Sequence, residues 1–293
     1  MAVYKRTYKT YQGAPTPAWS RFTVLSRYGF STLFESRPFT AYAVLCLIPF
    51  LCGLAFIYVL NSTAAQAVLN VRFGHQPLID NWFFFRFLGI EAWMGFILTA
   101  WAAPGMITKD FANHAVQLYL SRPLSRAEYL CGKISVLAAL LSCTTWIPAL
   151  ILFGIQAELQ GNGWGWRNLW VAGAIILASL IWIALISLLS MSLAVWVRWR
   201  IAATALMIGV FFLLPGFGEA MNAILRTQWG KLLNFPYLVT TVWGHLFLTH
   251  DQLGNTGFNL IPLWSAWATL LGVCAFSVWI LDLRLKAREV ERG

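Results

Sequence analysis

Charged side chains are what this sequence has least of. Only 11% of its 293 residues are Asp, Glu, Lys or Arg, against 59% that are hydrophobic; soluble domains carry roughly 25% charged residues. A deficit of that size excludes an ordinary soluble globule. Cysteine is sparse as well. Of the five, Cys46, Cys52, Cys143 and Cys274 fall within apolar runs and Cys131 at the mouth of one, so none stands in an external loop where an oxidising compartment would pair it. No CxxC or Cys/His ligand spacing occurs. The histidines number four, and His245 and His250 are five apart, about 140° on a helix, unlike an i, i+4 metal pair. A G-x-x-x-x-G-K-[ST] phosphate loop is absent, because Gly132-Lys133-Ile134 lacks both the earlier glycine and the hydroxyl that binds magnesium. There is no Ser/His/Asp or paired-carboxylate arrangement, and Ser179, Ser187, Ser190 and Ser192 read as small packing residues between helices. The chain is therefore expected to hold no cofactor or metal and to catalyse nothing itself.

What is abundant is apolar sequence. Runs of about 17 residues or more recur, each long enough to cross a hydrocarbon layer roughly 30 Å thick. They predict an all-α polytopic membrane protein with six transmembrane helices, at 41–60, 82–107, 134–157, 169–197, 201–217 and 263–281. The fourth exceeds the roughly 20 residues required and is expected to tilt or protrude. Only Arg198-Trp199-Arg200 separates it from the fifth, which makes these two a tight hairpin, and Pro215-Gly216 is read as the end of the fifth helix. Residues 218–259 are too apolar for a solvated loop and too broken for a span. They read as a broken external re-entrant segment, with short helices at 220–233 and 237–248 parted by Asn234-Phe235-Pro236.

The net charge of +10 is explained by placement. Most of the 21 Lys and Arg fall in segments assigned to one side; the exceptions are Arg72, Arg86, Arg167, Arg226 and Lys231. That asymmetry is the positive-inside pattern and predicts cytoplasmic termini in a cell membrane. Nucleic acid is not needed to account for the charge. Residues 1–38 are basic and aromatic without an early apolar stretch, so the first span is expected to serve as its own insertion signal. Within them, 18–37 place Trp19, Phe22, Leu25, Phe30, Leu33 and Phe34 on one half of a helix, with polar residues such as Arg21 and Tyr28 on most of the other. This predicts an interfacial amphipathic helix on the inner leaflet, with Arg27 in it as well, and Pro38 turning the chain into the membrane.

The stretch 108–133 is the richest in local signals. Thr108 can cap a helix with Asp110 in its first turn. Phe111, Ala115, Leu118 and Tyr119 then make an apolar stripe, Arg122-Pro123 stops that helix, and Ser125 with Glu128 forms a capping box that starts the next. On the residues alone this is equally a well-capped loop lying on the membrane. The run Leu118-Tyr-Leu-Ser-Arg-Pro-Leu-Ser-Arg-Ala-Glu-Tyr-Leu-Cys-Gly-Lys133, after Ala103-Pro-Gly-Met-Ile-Thr-Lys-Asp110, resembles the signature segment of ABC-2-type transporter permeases. The resemblance implies the membrane-spanning subunit of an ATP-driven exporter, paired with a second copy or a similar permease. A separate cytoplasmic ABC ATPase would carry the ATP and magnesium. It also implies that the helix around Asp110, Phe111, His114, Leu118 and Tyr119 is a coupling helix docked on that ATPase, braced by the helix of Trp19, Phe22 and Arg27. Arg122, Pro123 and Arg126 complete the ATPase-coupling set, and the two arginines serve equally as anchors to anionic lipid.

Arg86 and Glu91 are the only charges well inside a predicted span. If that span begins near Ile90, both are interfacial. If it begins earlier, Glu91 is the candidate for lining a pathway. Two other classes stay open at this point. One is a non-transporting membrane scaffold that recruits or regulates a cytoplasmic partner. The other, less supported, is a membrane-embedded enzyme using His75, His245 or Glu91.

Overall fold

In the computed structural model, residues 21–69, 79–112, 125–197, 199–254 and 261–290 are described. The readings that fall on Trp19, His75, His114, Leu118, Tyr119, Arg122 and Pro123, and on the side chains of Phe22 and Phe111, lie outside the described residues. Those described are helical, without a strand among them, and contain six helices long and apolar enough to cross a membrane.

A short helix, α1 (Arg21–Phe34), precedes the first span. That span is Arg37–Asn61, built of α2 (Arg37–Leu45) and α3 (Ile48–Asn61). It breaks at Cys46-Leu47, ahead of Pro49, whose missing N–H forbids a continuous ladder. After α4 (Thr63–Val68) comes α5 (Asn81–Ala112), whose 32 residues reach about 48 Å. The third span, Arg126–Gln160, bends at Thr145, between α6 (Arg126–Thr144) and α7 (Trp146–Gln160). A single turn, α8 (Trp164–Arg167), leads into α9 (Leu169–Trp196), the fourth span. The fifth is α10 (Arg200–Leu225), followed by a 3₁₀ turn at Trp229–Leu233. Then α11 (Phe235–Leu246) and α12 (His250–Gly254) precede the sixth span within α13 (Leu263–Val290).

The central column is α9. It packs on α5, α6, α7, α10, α11 and α13, and its line of Ile175, Ala178, Ser179, Ile186 and Ser187 is wholly buried. Small residues there let neighbouring backbones approach. Ser190 and Ser192 donate to backbone oxygens one turn back, whereas the Ser179 and Ser187 hydroxyls are buried without a hydrogen-bond partner. Spans five and six pack on this column, span one packs on α5 and α7 instead, and all three expose most of their apolar surface.

The fifth helix does not end at Pro215-Gly216. It continues to Leu225 and stops only at Arg226, which adopts a left-handed conformation with φ 50°. A proline removes one ladder bond, and neighbouring groups in a membrane helix tolerate that. The reading of 220–233 as a separate helix fails for the same reason. Its first half belongs to α10, and its second half is the 3₁₀ turn that folds back on α10. Asn234 does mark a break, since its side chain accepts from the Tyr237 N–H and starts α11.

Gly218 and Gly230 make that fold-back possible. A Cβ on either would drive into the other's backbone carbonyl, and Asn222 accepts the Gly230 N–H at 2.8 Å. Gly230→Ala is expected to cost about 1–3 kcal/mol, as overpacking does, and to increase protease sensitivity near Arg226. Thermal unfolding and limited trypsin digestion would check this; an unchanged digestion pattern would contradict it.

Candidate functional site

One end of the bundle collects the positive charge. Arg27 and Arg37 lie exposed there, with Lys133, Arg126, Arg200, Arg284 and Lys286 on the surrounding helix ends. Arg126 lies 3.9 Å from Asp282, which also pairs with Lys286, and Arg284 sits over the Trp196 ring at 4.4 Å. The opposite end carries Arg86, Arg167, Arg226 and Lys231, with Asn81 donating to the Phe247 carbonyl.

At the basic end the described chain comes within a few residues of the 113–124 stretch from both sides, and a polar cluster fastens the two sides together. The Asp110 carboxylate accepts from Lys133 Nζ at 2.8 Å and from the Tyr129 hydroxyl at 2.9 Å. Lys133 also donates to the Met106 carbonyl at 3.3 Å. Both charges are nearly buried, at 8% exposure for Lys133 and 15% for Asp110. Helix α5 therefore runs straight through Thr108, whose hydroxyl turns back to the Pro104 carbonyl. Thr108 is not a helix cap, and Asp110 closes the corner where a first-turn charge was expected. The capping box at Ser125 and Glu128 forms with both reciprocal bonds.

The same corner holds α1. Leu25, Gly29 and Leu33, spaced four apart, are buried along one face that packs on α6. Gly29 admits Val136 so closely that a Cβ would clash with it. Ser26 bonds to the Gly132 carbonyl at 3.1 Å and lies 2.7 Å from the Ser135 hydroxyl. The outward face, with Thr23, Val24, Arg27, Tyr28 and Ser31, forms a hollow of about 500 Å³.

One turn before the corner, α5 passes through Pro104. Its missing N–H orphans the Ala100 carbonyl, and an orphaned carbonyl in lipid is costly. Span five supplies the donor: Thr204 Oγ1 bonds to Ala100 O at 3.0 Å. The Arg200 guanidinium donates to Trp101 O at 3.3 Å and lies over Gly105. The bond that Pro104 removes from span two is thus replaced from span five. Thr204→Val, nearly isosteric, is expected to lower stability by about 1–2 kcal/mol by leaving that carbonyl unpaired, while Thr204→Ser is tolerated. Equal unfolding temperatures for the two variants would contradict the assignment.

The remaining intramembrane acid divides from its neighbour. Arg86 is exposed and sits over the Trp82 ring at 5.4 Å, whereas Glu91 is wholly buried with neither carboxyl oxygen hydrogen-bonded. It faces the break in span one: Tyr42 and Cys46 are within electrostatic reach, and Tyr42 donates to the Met94 carbonyl one turn further along α5. At the other end, His245 and His250 stack at 5.0 Å. They are not 140° apart, because α11 ends at Leu246 and Leu248 turns the chain with φ 53°. Burial, with His250 beside it, holds His245 below the usual histidine range. Among the described residues no group of three or more His, Cys, Asp or Glu is arranged to hold a metal.

Residues 43–275 match the family model described as ABC-2 family transporter protein. The chain belongs to the ABC-2 transporter family. No curated protein matches it. As an ABC-2 protein with six apolar spanning helices, it is a multi-pass membrane permease component of an ABC transporter. The family is one of transport subunits, generally not catalytic themselves, that pair with an ABC ATPase. Sequence reasoning placed Asp110, Arg126 and Glu91 in the candidate set but missed Lys133, Tyr129, Thr204 and Arg200. For Thr204 and Arg200 the available signal was Pro104, because a proline inside a span leaves a carbonyl for a neighbouring helix to satisfy.

Proposed function

We propose that this ABC-2 chain is the permease subunit of an ATP-driven exporter, with its basic end in the cytoplasm of the cell carrying it. A separate ATPase subunit binds ATP and magnesium. Two permease chains, identical or similar, assemble with two such ATPases. The observation that carries this reading is the Asp110–Lys133–Tyr129 cluster, which ties the approaches to 113–124 into one rigid corner.

In this mechanism the segment containing His114, Leu118, Tyr119, Arg122 and Pro123 docks on the ATPase, and the outer face of α1 around Arg27 braces the same partner. Closure of the ATPase pair displaces the corner. Because Asp110 is bonded to Lys133 and Tyr129, the ends of spans two and three move together, with α1 carried along by α6. Displacement of span two is passed to span five at Pro104, through Thr204 and Arg200. Glu91, beside the broken first span, lies on the cargo pathway.

The test is recovery of the tagged chain in mild detergent, followed by assay of the complex for ATP hydrolysis. Co-recovery of an ATPase, lost when 113–124 is scrambled while the chain stays monodisperse, supports the reading. A folded chain that consistently emerges alone would overturn it in favour of a scaffold.

A further inference from the structure

At the end of the bundle opposite the Asp110 corner, α11 stops at Leu246 and α12 starts at His250. The turn between them takes its shape from Leu248, which is left-handed, and from Thr249, whose N–H donates to the Gly244 carbonyl at 2.8 Å. A Cβ on Gly244 would strike Leu253, so glycine there lets α12 close on α11. Closure sets the rings of His245 and His250 face to face, their centroids 5.0 Å apart and their planes 13° from parallel. The same turn reaches span two. Asn81, the first residue of α5, donates to the Phe247 carbonyl, and the Phe247 ring meets Phe85 edge-on at 6.1 Å.

We propose that the stacked histidines are an acid-sensitive latch: neutral, they hold α12 on α11, and when both are protonated their repulsion parts the two helices and loosens the anchor at the head of span two. Histidine is the side chain whose charge changes in mild acid. Burial, and then His250, lower the pKa of His245, so the closed turn resists a proton that the opened turn accepts. The closed form is therefore favoured most above the usual histidine value of about 6.5 and loses ground as pH falls below it. Other charges do not take over this role. Asp251 lies 3.3 Å from His250 but is 89% exposed, where solvent screens it. Among the elements packed on α11, α9 carries no charge, and the 3₁₀ turn places Lys231 over the Tyr237 ring at the start of α11. At the head of α5, Asp80 accepts from the Phe83 N–H and Arg86 lies over Trp82. Glu219 and Arg226 on α10, and Cys274, Asp282, Arg284 and Lys286 on α13, leave His250 as the charged neighbour that acts on His245.

Hydrogen–deuterium exchange of the full chain in lipid nanodiscs tests this, at about pH 8 and about pH 5, either side of the histidine range, with rates corrected for intrinsic pH dependence. Amides of 247–253 should exchange at least about fourfold faster in acid, the factor that two unit charges at this spacing give even in the dielectric of water. The first turns of α5 should follow, while α6 keeps its protection. His245→Phe retains a ring against His250 but cannot charge, so it should match the wild type near neutrality and lose the acid response. His250→Phe should do the same, because the latch needs both charges. Equal exchange at the two pH values overturns the proposal, as does a response that survives either substitution. Loss of protection running equally through α6 also overturns it, since that is acid unfolding of the whole chain. None of these outcomes depends on an ATPase at the opposite end.

Discussion

Lys133→Met is expected to destabilise the protein by about 3–5 kcal/mol, the range for removing one partner of a buried ion pair. The carboxylate of Asp110 would remain almost enclosed, with only the Tyr129 hydroxyl left of its two partners. Its desolvation would no longer be offset by a charge. Asp110→Asn should cost less, because the amide still offers Tyr129 and Lys133 an oxygen. The double variant Asp110→Leu/Lys133→Met should recover most of the lost stability, since replacing both charges by apolar groups is often close to neutral. A double-mutant cycle on thermal unfolding in detergent isolates the pair. Coupling is the second readout. The single variant should show ATP hydrolysis by the associated ATPase that no longer depends on an intact permease. A loss below about 1 kcal/mol for Lys133→Met, the scale of exposed pairs, would mean that the corner is not held by this contact.

Glu91→Leu is expected to do the reverse: raise stability and remove function. Both carboxyl oxygens are buried without a hydrogen-bond partner, and leaving such a group unsatisfied costs roughly 1–3 kcal/mol. Leucine has similar volume and no polar atom to desolvate. The wild-type chain tolerates this cost at the place where span one is broken, with Tyr42 and Cys46 alongside. Polar groups at such depth are typically functional. Glu91→Gln should leave the unfolding temperature near that of the wild type. The permease-dependent component of ATP hydrolysis, measured on the assembled complex, should fall at least about tenfold in Glu91→Leu, corresponding to roughly 1.4 kcal/mol. A stabilised Glu91→Leu complex with full activity would show that the acid has no role in the cycle.

Much of the architecture was legible because lipid imposes simple rules. Long apolar runs must be helices, and the six runs identify six spanning helices. Boundaries were less legible where a local signal was overruled. Pro215-Gly216 reads as a stop, yet α10 continues to Leu225 because Gly218 lets the 3₁₀ turn pack against it. Thr108 has the chemistry of a cap, but the buried Asp110–Lys133 pair extends α5 past it. Partners of that kind are distant in sequence, and no periodicity announces them. Thr204 and Arg200 are as distant, bonding to carbonyls about a hundred residues away, and only Pro104 hinted that a donor was needed there. Glu91 was ambiguous only because the start of its helix was. Once α5 begins at Asn81, both lie within its candidate span, Arg86 exposed on the surface and Glu91 buried.

The central claim is that 113–124 meets an ATPase on the same side as both termini. A photo-activated cross-linking residue placed at Leu118, and separately at Trp166 on the opposite end, tests it in intact cells. The account predicts a cross-linked product from Leu118 that contains an ATPase with a nucleotide-binding motif, and none from Trp166. Capture of the ATPase from Trp166, or its absence from Leu118 in a folded and assembled chain, would contradict it.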